Sequence, residues 1–123
     1  DDLTIVGAGI TLHEALKAAD ALTADGIAAR VIDLYSVKPI DAKTLVAAAE
    51  ATGRVLTVED HWPEGGLGEA VLDAFAANNS HPRVMKLAVR DMPGSGTPTE
   101  LIAAAGIDAA HIAEAARALV KEA

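Results

Sequence analysis

The stretch Val55-Leu-Thr-Val-Glu-Asp-His-Trp-Pro-Glu-Gly-Gly-Leu-Gly-Glu-Ala-Val71 decides the fold. It opens as an aliphatic run of the kind buried in a sheet, passes through acidic residues and a glycine-rich turn, and ends as the start of a helix. The pattern recurs along the chain. Leu3–Gly7, Ala28–Leu34, Arg54–Glu59 and Val84–Val89 are short β-branched and aliphatic runs, and near-continuous apolarity is how strands of a parallel sheet covered on both faces read. Helical patterns lie between them. Leu12, Ala15, Leu16, Ala19 and Leu22 share one face, as do Leu45, Val46 and Ala49, and Leu67, Val71, Ala74 and Phe75.

Strand and helix alternate, so the fold class is α/β, a three-layer α/β/α sandwich on a mainly parallel sheet. Short right-handed crossovers make 2-1-3-4 the simplest strand order. Thr11 with Glu14 and Thr97 with Glu100 have capping-box spacing, the second with Pro98 at the first helical position. Asp41 and Asp108 are placed to cap two further helices, and Gly26, Gly53 and Gly106 to end helices in the left-handed conformation.

The chain of 123 residues fits one domain, residues 1–123. Apolar residues make up 51%, much of it alanine, with one residue each of Trp, Tyr and Phe, a composition suited to close packing of helices on a sheet. A net charge of −8 disfavours binding to nucleic acid and to anionic membrane surfaces. Without cysteine there is no disulfide, thiolate zinc site or cysteine nucleophile. No apolar run approaches the roughly 20 residues that span a bilayer, and the reading is of a cytoplasmic protein. The start at Asp1-Asp2, directly before a strand, reads as the edge of a domain cut from a longer chain.

Several motifs invite a chemical reading. Gly7-Ala-Gly9 between strand and helix resembles the opening of a dinucleotide fingerprint, but the third glycine is absent. Glu14 is expected to fold back onto that helix start, where an anion would otherwise sit. Gly65-Gly-Leu-Gly68 is a second turn with amides to offer, crowded by Glu59, Asp60, Glu64 and Glu69 with no basic residue in the loop. Asp60 and His61 could form an acid–base or hard-metal pair, yet neighbours on an extended strand point to opposite faces. His13, His81 and His111 are scattered. Trp62-Pro63 either anchors an interface or packs on the domain's own edge. Arg90–Pro98 is a further glycine- and proline-rich connection, in which Ser95 and Thr97 serve turns or a ligand equally well. These loops gather at one sheet edge, beside the crevice between strands 1 and 3 where open α/β folds place ligands. Gly9, Thr11, His13, Glu59, Asp60, His61, Trp62, Gly65, Gly66 and Gly68 therefore form a candidate interface or regulatory crevice, acidic and better suited to docking than to phosphate. A positive φ at Gly66 would make Gly66→Val destabilising.

Taken together, the quoted stretch, Ile5-Val-Gly-Ala-Gly-Ile-Thr-Leu-His-Glu-Ala-Leu16 and Ser36-Val-Lys-Pro-Ile-Asp41 resemble the C-terminal domain of transketolase, in order and from about Asp2 to the last residue. Gly7, Gly9, Thr11, His13, Glu14, Lys38, Pro39, Asp41, Glu59, Asp60, His61, Gly65, Gly66, Gly68 and Glu69 match that pattern, most of them as fold-forming residues. The Thr-Leu-His-Glu-Ala-Leu and Val-Glu-Asp-His segments look closest to the animal-type branch. The resemblance implies a sheet of four to five strands, with an antiparallel edge strand contributed by residues before this chain. A sheet edge lacking that strand is expected to pair with another chain.

The resemblance also implies a part of an enzyme that transfers a two-carbon ketol unit between sugar phosphates, using thiamine diphosphate and a divalent metal such as magnesium. In the family those groups sit between an N-terminal and a middle domain, behind a Gly-Asp-Gly motif that does not occur here. No catalytic, cofactor-binding or metal residue is therefore carried over, and this domain is expected to bind no cofactor itself. The implied partners are the remaining transketolase domains and the second subunit of a homodimer. Two alternatives remain: the C-terminal docking domain of a 2-oxoacid dehydrogenase beta subunit, and a stand-alone regulatory module for phosphate or nucleotide.

Overall fold

The computed structural model describes residues 1–34, 41–60, 66–89 and 96–121. The elements run β1 (Leu3–Gly7), α1 (Ile10–Ala24), β2 (Ala29–Asp33), α2 (Ala42–Thr52), β3 (Arg54–Val58), α3 (Leu67–Ala77), β4 (Arg83–Leu87), α4 (Pro98–Ala104) and α5 (Ala109–Lys121). The sheet has the order β2-β1-β3-β4. All of its pairings are parallel. The expected four to five mainly parallel strands are four, all parallel, among the described residues.

Alternation along each strand divides the core in two. Leu3, Ile5, Leu56 and Val58 face α1 and α5, packing with Ala15, Ala18, Leu22, Ile112, Ala116 and Leu119. Val6 and Val55 face the other way, onto Leu45 and Ala49 of α2 and Val71 and Phe75 of α3. Alanines on α1, α2 and α5 let these helices lie close to the strands, as the composition anticipates. Between the layers, Thr4 and Thr52 satisfy one another's hydroxyls at 3.0 Å, and Thr52 also donates to Ala48 O. Those bonds offset the desolvation of two buried polar groups.

The helix ends follow local chemistry at most positions. Asp41 accepts the Thr44 amide and caps α2. Thr97 and Glu100 form the reciprocal capping box on α4, with Pro98 in its first turn. Asp108 accepts the His111 amide at the start of α5. Gly53 closes α2 at φ 72°, a left-handed conformation in which a Cβ is unfavourable, and Gly26 and Gly106 do likewise.

Two expectations need correction. Leu16, expected on the buried face of α1, is 47% exposed, because the helix buries Thr11, Ala15, Ala18 and Leu22. Leu16 lies roughly 130° around the helix from the centre of that face at about 100° per residue. Gly66 has φ −101°, so its turn requires no positive φ and the premise of the Gly66→Val expectation fails.

Candidate functional site

Strand order reverses between β1 and β3, the position at which open α/β folds commonly place ligands. On the β1 side, Gly7 permits a close approach of strand to helix: a Cβ would meet the backbone of Thr11 and Leu12 at 3.1 Å. Gly9 follows at φ 59° and precedes the first residue of α1. The buried Thr11 hydroxyl accepts the Ala8 amide at 3.0 Å and donates to Ala8 O at 2.8 Å, so it fastens the turn.

Glu14 does not fold back on α1 as expected. The helix begins at Ile10, one residue before Thr11, and Gly9 gives it no side-chain cap. The Glu14 carboxylate instead accepts the Ala109 amide at 3.2 Å, 95 residues away, and pairs with Lys17 at 2.7 Å. It thereby satisfies one of the unpaired N–H groups at the start of α5 and ties two neighbouring helices together. His13 is exposed on the same turn of α1.

The β3 side is built around Glu59, which is only 3% exposed. Its amide extends the sheet by donating to Leu87 O. Its carboxylate accepts the Leu67 amide at 2.9 Å and the Gly68 amide at 2.7 Å, the first N–H groups of α3. Gly66 has no side chain to cap this helix, so a carboxylate from the preceding strand does it. A negative charge there also complements the positive end of the helix dipole. Thr57 and Glu59 share the α3 side of β3, and Lys86 lies beside Thr57 on β4. A Cβ on Gly68 would come within 2.7 Å of both Glu59 Oε2 and Lys86 Cδ, and 3.1 Å of Thr57 Oγ1. The Thr57 hydroxyl is buried and has no hydrogen-bond partner among the described residues.

Asp60, next along the chain and beyond the end of β3, is exposed whereas Glu59 is buried. Of the residues expected at the crevice, Gly9, Thr11, His13, Glu59, Asp60, Gly66 and Gly68 are described, and a hydrogen bond joins Glu59 to Gly68. His61, Trp62 and Gly65 lie outside the described residues, as do Lys38, Pro39 and Ser95. The sequence did not single out Thr57 or Lys86. A usable signal was present: Val55, Thr57 and Glu59 share one face of β3, and a helix preceded by glycine requires a cap from elsewhere.

Carboxylates dominate the charge at the other helix starts. Hydrogen bonds from the Thr44 side chain and amide hold Asp41 below the usual carboxylate range. At Asp108 burial works to raise the pKa, but hydrogen bonds from the His111 side chain and amide outweigh it and the net shift is downward. No group of three or more His, Asp or Glu side chains among the described residues is placed to hold a metal ion. At the α3 start, the Leu67 and Gly68 amides that an anion would need are already bonded to Glu59. Among the described residues no helix is long and apolar enough to cross a membrane.

Comparison with known proteins places this geometry. The family described as transketolase, C-terminal domain, matches residues 1–112. Transketolase-like protein 1 of Bos taurus is 54% identical over 115 residues, which is 91% of this chain and 19% of that protein. Transketolase of Homo sapiens is 48% identical over 124 residues, 100% of this chain and 20% of that protein. A solved structure titled "Split gene transketolase, inactive beta4 tetramer" superposes with a TM-score of 0.90 at 42% identity, covering 97% of this chain and 39% of that one. The chain spans about a fifth of the length of the curated relatives it matches. With the four-stranded parallel sheet and the carboxylate-capped α3 described above, these matches show that the chain belongs to the transketolase C-terminal domain family.

Proposed function

We propose that this chain acts as the non-catalytic C-terminal domain of a cytoplasmic, thiamine-diphosphate-dependent transketolase, supporting its dimerisation and interdomain packing. The observation that carries this reading is the Glu59 carboxylate seated on the α3 amides. An anion site at the sheet's order reversal would leave those amides open. A domain that presents a fixed surface to its neighbours benefits from a helix start closed by its own side chain. Thiamine diphosphate and magnesium then belong to the rest of the enzyme, and the crevice residues from Gly9 to Gly68 serve as a contact surface. The similar solved structure is titled an inactive beta4 tetramer of a split-gene transketolase, which supports reading this domain as inactive by itself.

Ketol transfer from a ketose phosphate to an aldose phosphate tests this directly. The assay compares this chain alone, human transketolase lacking its C-terminal domain, and that truncated enzyme fused to this chain, each with thiamine diphosphate and magnesium. The expected result is no turnover by the chain alone and turnover by the fusion well above that of the truncated enzyme. Turnover by the chain alone, or a fusion no better than the truncation, would overturn the proposal.

A further inference from the structure

We draw no further inference here: the strongest candidate, the apolar groove between α3 and the start of β4 lined by Leu72, Phe75, Ala76, His81, Pro82 and Val84, carries nothing because nothing in the structure shows what covers it.

Discussion

Glu59 and Gly68 are fitted to one another: Glu59 Oε2 accepts the Gly68 amide at 2.7 Å, and a Cβ on Gly68 would lie 2.7 Å from that same oxygen. In an open helix, alanine is better than glycine by about 1 kcal/mol. At position 68 the added methyl must displace a carboxylate held by two amides as well as the Lys86 stem. Gly68→Ala is therefore expected to lower unfolding free energy by about 1–3 kcal/mol, as overpacking does in tight sites. Urea denaturation checks it, and unchanged or increased stability would show that the carboxylate yields at little cost.

The complementary change removes the cap. Glu59→Ala leaves the Leu67 and Gly68 amides in a buried setting without their acceptor, and a loss of about 3 kcal/mol is expected from two charge-assisted bonds. Glu59→Gln retains one oxygen but turns an NH₂ group toward one of the two amides, so it should fall between the wild type and alanine. Amide exchange read in the first turn of α3 should accelerate in the same order. Equal stability of all three proteins would mean that the cap contributes nothing.

Gly53 and Gly66 form an internal control on backbone conformation. Gly53 has φ 72° and Gly66 has φ −101°. Gly53→Ala should cost about 1 kcal/mol, whereas Gly66→Ala involves no left-handed penalty. Thermal melts of the two variants side by side should show a clear drop for the first only. The reverse ranking would refute this assignment of strain.

Strand order and most helix caps were legible because the interactions that set them are local or periodic. Asp41 with Thr44 and Thr97 with Glu100 lie within one turn, and the chemistry of each pair can be read directly. The Glu14 contact with Ala109 spans 95 residues and was not legible: capping-box spacing at Thr11 and Glu14 gave a satisfactory local solution that the fold does not use. The α1 stripe shows a similar limit. Periodicity identified Leu16 as apolar but not what covers it, because its position around the helix relative to α5 follows from tertiary packing. Glu59 is legible as a candidate crevice residue but not as the cap of α3, because that role depends on Gly66 supplying no side chain and on Glu59 reaching the Leu67 and Gly68 amides across the turn.

Acid titration separates the local caps from the rest of the fold. Asp41 and Glu100 are lowered by side-chain and backbone hydrogen bonds from Thr44 and Thr97 respectively, and Asp108 is lowered by His111 against the opposing effect of burial. A carboxylate whose pKa is lower in the folded than in the unfolded protein contributes stability that is fully present above its unfolded value, about 4, and lost as pH falls through the folded value. Asp41→Asn and Glu100→Gln should therefore melt below the wild type by a constant margin from pH 7 to about pH 5. That margin should shrink below about pH 4, where the wild-type carboxylates also become protonated. A margin that stays constant through the acid range would mean that ionisation of these caps contributes nothing and that the substitutions act through shape alone.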